Sequence, residues 1–215
     1  MKYIQTIVIA ALIAITGSLH AQDAKAKAIL DKVSNKTRQY ATITSEFTFT
    51  LEDKAADLKQ TQDGTLKMKG KKYFIKLGDN NIYSDGETRW TYNDEMNEVY
   101  IDVADASGDA LNPSEIYTIW ETGFKQYYEK EITENGKTYD VIKLIPAKPA
   151  DKTFHTIRVY VDRAKDELGK IEILGKQGDN YTYAVKSFKT DANYGNEAFV
   201  FDVSAHPGVE VIDNR

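Results

Sequence analysis

The stretch that decides the fold lies at residues 81–103 and reads NIYSDGETRWTYNDEMNEVYIDV. It divides into three segments, 81–84, 87–93 and 98–103, in which β-branched and aromatic residues are frequent. The pair Asp85-Gly86 separates the first two segments. An Asp-Gly pair between two such segments is a strong signal for a tight hairpin turn. The stretch therefore predicts consecutive antiparallel strands.

The same pattern extends in both directions from this stretch. On the N-terminal side it predicts strands at 46–51, 60–69 and 73–77, and on the C-terminal side at 125–133, 137–145, 155–163, 169–176, 180–190 and 198–203. Helical spacing of apolar residues predicts a helix over 23–40. A second, short amphipathic helix is predicted from Asn112-Pro113 to Gly123, because proline is favoured in a first helical turn.

This order of elements predicts a mainly β (α+β) protein. About eleven antiparallel strands build one strongly curved sheet, a half-open β-barrel. Two helices so far apart in the chain do not form a layer of their own, so we expect them to form a lid over an apolar concave face. The chain shows no linker or repeat, and residues 22–215 are expected to form a single domain.

Residues 1–21 have the features of a cleaved signal peptide. Lys2 precedes an apolar run from Ile7 to Ile15, and a small-residue region ends at Ala21. The run is shorter than the roughly 20 residues of a transmembrane helix, which disfavours the alternative of an N-terminal membrane anchor. The chain contains no cysteine, so neither disulfides nor an N-terminal lipid anchor on cysteine is expected. We expect an exported protein that diffuses freely.

The charge and the polar residues exclude several functional classes. The net charge of −5 disfavours nucleic acids and anionic membranes as partners. We expect no catalytic residues, no metal and no cofactor, because no nucleophile motif or phosphate-binding loop occurs. His155 and His206 are interpreted as surface residues without metal-ligand spacing. Three aspartates lack the spacing of a calcium loop and are interpreted as solvated: Asp102, Asp105 and Asp109.

Aromatic residues are frequent on the predicted strands. The simplest interpretation is a plain β core. A sheet of about eleven strands, however, encloses more space than its side chains fill, since barrels beyond about eight strands leave room for a ligand. An apolar interior under an amphipathic helix would suit an apolar ligand, but this reasoning does not identify it.

Several short motifs follow one another in a specific order. They are LDKVS at 30–34, Phe47, Gly64-x-Leu66, SDGETRWTYN at 84–93, Pro113 before the second helix, and FVF at 199–201 followed by HPGV at 206–209. Their order and spacing resemble the LolA family of periplasmic outer-membrane lipoprotein carriers, in which the segment matching 84–93 reads Ser-Asp-Gly-Lys-x-Leu-Trp-x-Tyr-Asn.

The resemblance implies a half-open barrel closed by helices and a function in lipoprotein transport. Such a protein is a chaperone, not an enzyme. It binds the acyl chains of lipid-modified proteins, receives them from an inner-membrane ABC transporter, and carries them across the periplasm to the outer membrane or an acceptor there. We expect it to act as a monomer.

The resemblance also assigns residues to the site. Apolar side chains of the strands and of the second helix are expected to line the acyl-chain cavity: Phe47, Phe49, Leu66, Met68, Ile75, Trp90, Tyr92, Ile116, Ile119 and Trp120. Phe74 matches an aromatic residue that contributes to the transporter contact.

One departure from the family pattern concerns the lid. Family members often have Arg-Pro after the second strand, and the arginine latches the lid. This chain has Gly70-Lys71 there, so no latch is carried over, although Lys69, Lys71 or Lys72 could substitute.

Two other functions remain as alternatives. The first is a periplasmic module on the same fold that senses lipids or lipoproteins. The second is a secreted hydrolase, which the lack of catalytic motifs disfavours.

Overall fold

The computed structural model describes residues 23–104 and 113–215. The proposed signal peptide, residues 1–21, and the side chains of Asp105 and Asp109 lie outside this part. A helix, α1, covers residues 23–37 and confirms the first predicted helix. The strands are β1 (Ile43–Asp53), β2 (Leu58–Lys69), β3 (Lys72–Leu77), β4 (Asn80–Ser84), β5 (Thr88–Asn93), β6 (Glu98–Val103), β7 (Phe124–Glu134), β8 (Lys137–Pro146), β9 (Phe154–Asp162), β10 (Glu167–Gly175), β11 (Asp179–Thr190) and β12 (Glu210–Asp213).

The strands form one twelve-stranded sheet within the described residues. Their order is β12-β6-β5-β4-β3-β2-β1-β11-β10-β9-β8-β7. All neighbouring strands are antiparallel except β12, which pairs in parallel with β6. The two ends of the sheet do not join, so the sheet is curved but not closed. The predicted half-open, mainly β fold is thereby confirmed.

The helix α1 and residues 113–121, which we together call the lid, pack on one face of the sheet. We call this face the inner face. The helix α1 buries Ala26, Leu30 and Val33 completely or nearly so in the main core. In β1, the residues at 43, 45 and 47 alternate inward and are buried, because successive side chains of a strand point to opposite faces. The core therefore lies between the lid and the inner face.

The prediction of a second amphipathic helix is wrong, because the segment is not one continuous helix. Residues 113–121 form two 3₁₀ turns, Pro113–Glu115 and Ile119–Glu121. The backbone bonds are of the i to i+3 kind, as from Thr118 N to Glu115 O at 2.8 Å. This winding places residues three apart above one another, so that Tyr117 and Trp120 are both buried in the core.

The predicted strand at 198–203 is also wrong. A 3₁₀ turn, Asn196–Phe199, comes first, and a second one covers Val203–Ala205. The alternation of Phe199 and Phe201 is explained by burial, since their exposures are 0% and 4%. The twelfth strand comes later, at Glu210–Asp213, where the sequence pattern did not predict one.

Residues 191–213, the C-terminal segment, lie across the outer face of the sheet. Thr42 Oγ1 donates to Ala192 O at 2.8 Å, and the Thr44 and Tyr194 hydroxyls are 2.6 Å apart. Further along, the segment closes an outer cluster of apolar residues: Tyr83, Trp90, Tyr92, Val99, Phe201 and Val209. The sheet thus has a core on each face.

Candidate functional site

An apolar cavity of about 430 Å³ opens on the inner face. Its size lies within the ~300–1,000 Å³ that is usual for ligand pockets. Its lining is almost entirely apolar and consists of Phe47, Phe49, Leu66, Ile75, Pro113, Ile116, Thr153, Phe154, Ile173, Tyr181 and Tyr183. Strands from both halves of the chain contribute, because β1 pairs with both β2 and β11.

Four aromatic rings form a continuous wall of the cavity along β1 and β11. The ring of Tyr183 lies 4.8 Å from Phe47 and 5.2 Å from Phe49, and Tyr181 lies 6.2 Å from Phe49. Cross-strand pairing sets these distances, since Tyr183 is opposite Phe49 in the ladder. The wall is therefore built by the β1–β11 ladder.

A glycine makes room for one ring of this wall. Gly64 lies opposite Phe47 in the β1–β2 ladder. A Cβ at position 64 would lie only 2.4 Å from Phe47 Cζ. The Phe47 ring consequently covers the backbone of β2, and the cavity keeps its shape because residue 64 has no side chain.

One end of the inner face is closed by the lid. The Trp120 Nε1 group donates to the buried Ser34 Oγ at 2.9 Å and so joins the second 3₁₀ turn to α1. Gln126 Nε2 donates to Trp120 O at 2.6 Å, which ties the turn to β7. An ion pair between Arg38 and Glu121 adds a further link between α1 and the turn. None of these five residues lines the cavity.

The structure shows where the lysines lie that could substitute for the latch arginine of the family. Of the three lysines considered as substitutes, Lys69 donates to Tyr194 O at 2.7 Å and Lys72 donates to Asn196 Oδ1 at 3.1 Å. Both therefore bind the C-terminal segment on the outer face. Lys71 lines a small polar pocket together with Ser114 and Glu115 of the lid. Among these lysines, only Lys71 lies beside the lid.

The structure brings five of the ten predicted cavity residues together in the cavity wall: Phe47, Phe49, Leu66, Ile75 and Ile116. Met68, Ile119 and Trp120 belong to the same core but do not line the cavity. Trp120 belongs to the lid and is only 1% exposed, because its side chain is buried in the core. The five residues named first line the cavity, whereas Met68, Ile119 and Trp120 pack in the core that surrounds it.

Trp90 and Tyr92 do not belong to this site. On β4 and β5, Ile82 pairs with Thr91 and shares the inner face, so that the neighbouring Trp90 and Tyr92 point outward. Both lie in the outer cluster. Alternation along a strand predicts that side chains point to two faces of the sheet, but it does not indicate which face is the inner one. The prediction therefore assigns Trp90 and Tyr92 to the wrong face.

Phe74 also points outward. Its ring lies 4.8 Å from the Tyr83 ring, and the Lys67 ammonium group lies 5.2 Å from its centre. The side chain is half-buried. It is therefore accessible on the face opposite the cavity.

Six cavity residues were not predicted: Pro113, Thr153, Phe154, Ile173, Tyr181 and Tyr183. The alternation of Tyr181 and Tyr183 is visible in the sequence, so their common face could have been predicted. Their position against Phe49 could not, because the β1–β11 pairing joins segments more than a hundred residues apart.

The polar residues considered earlier are placed as follows. Asp85 accepts hydrogen bonds from the backbone N–H groups of Glu87 and Thr88 at 2.9 and 2.8 Å, as expected for a turn residue. Asp102 pairs with Arg89 at 3.0 Å. His206 is not a free surface residue, since its ring stacks on Phe201 at 4.4 Å. His155 is exposed.

No group of three or more potential metal-ligating side chains occurs in residues 23–104 and 113–215. In the same residues, no helix is long and apolar enough to cross a bilayer.

A family model supports the resemblance seen in the motifs. The model described as outer membrane lipoprotein carrier protein LolA matches residues 17–165, which is more than half of the chain. No curated protein matches the sequence significantly.

Two solved structures show the same fold at low sequence identity, and a third is similar over most of its length. An uncharacterized conserved protein from Thermus thermophilus superposes with a TM-score of 0.59 and 11% identity, over 88% of this chain and 99% of that one. LprF from Mycobacterium bovis superposes with a TM-score of 0.51 and 9% identity, over 80% and 96%. A LolA superfamily protein from Nitrosomonas europaea gives 0.44 and 10%, over 82% and 97%.

Proposed function

Because this chain belongs to the LolA family of outer membrane lipoprotein carrier proteins, we propose that it binds the acyl chains of lipoproteins in its apolar cavity and carries them across the periplasm. It acts by binding and release and not as an enzyme. The observation that carries the proposal is the cavity itself, about 430 Å³ of mostly apolar space under the lid.

The physical case rests on what the cavity offers to a hydrocarbon chain. Each CH₂ group moved from water to an apolar environment gains about 0.8 kcal/mol. The walls are aliphatic and aromatic side chains, which impose little directional demand on a chain. Such a site tolerates acyl chains of different length, as a carrier of many lipoproteins requires.

The binding step can be tested directly. Native mass spectrometry of the protein purified from its own periplasm should show acylated lipoprotein or lipid bound to it. Replacing Ile173, a partly exposed residue of the cavity wall, by Trp should lower the affinity for an acyl ligand at least tenfold, because the larger side chain fills the space.

Leu58→Trp is the matched control for this substitution. Leu58 begins β2, is 39% exposed and lies outside the cavity lining. The same change of volume there should leave binding unaltered. Equal affinities for wild type and Ile173→Trp would show that the cavity is not the binding site.

Transfer distinguishes a carrier from a module that only senses lipids. A carrier should release lipoproteins from inner-membrane vesicles that contain the ABC transporter, and should pass them to outer-membrane vesicles. A sensing module would bind acyl chains and leave the lipoproteins in the donor membrane. Vesicle sedimentation with labelled lipoprotein measures this difference.

Phe74 is proposed as the contact to the inner-membrane transporter. It lies on the outer face, away from the cavity, and is half-buried beside Tyr83 and Lys67. Phe74→Ala should therefore reduce the release of lipoproteins by the transporter while leaving the affinity for free acyl ligands within twofold. A loss of acyl affinity instead would place the defect in the fold or in the cavity.

A further inference from the structure

The aromatic wall of the cavity carries a hydroxyl group held in a fixed position. Tyr183 lies in the middle of β11, opposite Phe49, and lines the cavity. The rings of Phe47 and Phe49 pack against its ring at 4.8 and 5.2 Å. Two ring contacts on one side chain restrict its rotation, so the phenol group keeps its place in the wall.

This hydroxyl has no hydrogen-bond partner within residues 23–104 and 113–215. Burial is the one cause that shifts the Tyr183 pKa, and it raises it, so the phenol stays protonated at neutral pH. The neighbouring Tyr181 is different, because its hydroxyl donates to Asp179 Oδ2 at 2.9 Å. The Tyr183 side chain is half-buried and lines the cavity, so the space next to its ring is open to a ligand.

A protonated phenol in an apolar wall discriminates between two kinds of chain. An acyl group has a carbonyl oxygen that accepts a hydrogen bond, whereas an alkyl chain lacks that oxygen. An alkyl chain leaves the phenol hydroxyl without a partner. Its complex is therefore less stable than that of an acyl chain by the free energy of this hydrogen bond.

We propose that the Tyr183 hydroxyl donates a hydrogen bond to an acyl carbonyl oxygen and thereby makes the cavity select acyl over alkyl chains. This proposal rests on the proposed function, since it requires that the cavity binds hydrocarbon chains. It adds a residue that determines specificity within a site whose other contacts are largely unselective.

The test compares two ligands that differ in the carbonyl oxygens. Dihexanoyl phosphatidylcholine and its dihexyl ether analogue share the headgroup and the chain length. Isothermal titration calorimetry below their micelle concentrations measures both affinities for wild type, Tyr183→Phe and Tyr181→Phe. Tyr183→Phe keeps the ring and its packing, and Tyr181→Phe is the matched control.

Tyr183→Phe should weaken binding of the ester by roughly fivefold, which is the usual net value of one hydrogen bond. Binding of the ether should stay within twofold. Tyr181→Phe should leave the ratio of the two affinities unchanged, because that hydroxyl is already bonded to Asp179. Infrared spectra of the ester with ¹³C-labelled carbonyls should show a hydrogen-bonded band with wild type that is lost with Tyr183→Phe.

The outcomes separate this inference from the proposed function. If wild type binds both ligands and Tyr183→Phe affects neither, or both equally, the role of Tyr183 is refuted while acyl binding stands. If wild type binds neither ligand, the cavity does not take acyl chains and both proposals fail.

Discussion

Gly64 and Phe47 show that the absence of one side chain determines the shape of the cavity wall. The Phe47 ring occupies the space that a Cβ at position 64 would need, at 2.4 Å from its Cζ atom. Phe47 is 3% exposed and packs against Tyr183, so the ring has little freedom to move away. A larger residue at position 64 must therefore disturb the cavity wall.

Gly64→Ala should lower the free energy of unfolding by about 1–3 kcal/mol, as overpacking usually does. In a Phe47→Leu background the same change should cost clearly less, since the clash is with the ring. Urea denaturation of the four proteins of this double-mutant cycle measures the coupling. Additive effects would mean that the glycine is needed for another reason.

Tyr117 gives the molecule a dependence on alkaline pH. It is 3% exposed, and burial raises its pKa to about 12. A tyrosine whose folded pKa lies above its unfolded value of about 10 contributes stability that is present below pH 10. This contribution is lost as the pH rises from 10 through the folded pKa, because the unfolded chain then releases its proton first.

Wild type should therefore lose up to about 3 kcal/mol of stability between pH 10 and 12 through this residue, at ~1.4 kcal/mol for each pKa unit. In Tyr117→Phe the decline over that range should be smaller by this amount. Chemical denaturation at pH 8, 10 and 11.5 tests the prediction. Parallel curves for the two proteins would contradict it.

Among the elements, the C-terminal segment has little regular secondary structure but a defined structural role. It covers the outer face with Phe199 and Phe201, and it ends in β12, whose Glu210 N–H donates to Asn97 O at 3.0 Å. The strand has only four residues. Its pairing with β6 thus depends on the packing of the rings that precede it.

Phe201→Ala should release this pairing without unfolding the sheet. Removing a buried phenylalanine side chain lowers stability by about 3–5 kcal/mol. This loss is larger than the stabilisation that the pairing of a four-residue edge strand provides. Hydrogen exchange of the β12 amides should become fast while β8 and β9 remain protected.

Val200→Ala is the control for this prediction. Val200 is the neighbouring residue and is 38% exposed, so its truncation should leave β12 protected. Loss of protection throughout the sheet in Phe201→Ala would show that the segment is part of the global folding unit.

At the scale of the whole molecule, the open sheet explains how a cavity can exist in a protein of this size. A closed barrel encloses its own interior. Here β7 and β12 form the two edges of the sheet within residues 23–104 and 113–215, and the lid covers the inner face. The long edge strand β7 is rich in Lys and Glu and carries a bulge between Tyr128 and Lys130. Both features discourage pairing with another sheet.

An acyl ligand should stabilise the whole molecule by mass action. At a free ligand concentration of 100 times Kd, the gain is about 2.7 kcal/mol, which corresponds to roughly 5–10 °C in Tm for a chain of this size. Calorimetry or thermal circular dichroism with and without ligand measures the shift. Ile173→Trp should show almost none, and an equal shift in that variant would indicate binding elsewhere.

The local patterns of the sequence were sufficient for most of the architecture. Alternation and turn residues such as Asp85-Gly86 predicted the strands of the first half and five of the second, because these signals depend on neighbouring residues. The order of motifs also indicated the family. The same signals failed for 113–121 and 198–203, where apolar spacing reflects burial of Trp120 and of Phe199 and not a regular helix or strand.

Tertiary structure decided which faces meet. Trp90 and Phe47 have similar local surroundings in the sequence, yet one lies in the outer cluster and the other in the cavity wall. Alternation defines two faces of a strand, but the face that becomes the inner one depends on pairing between distant strands, above all β1 with β11. The Tyr183 hydroxyl is brought to the cavity by that pairing, and so its role could not be predicted from neighbouring residues.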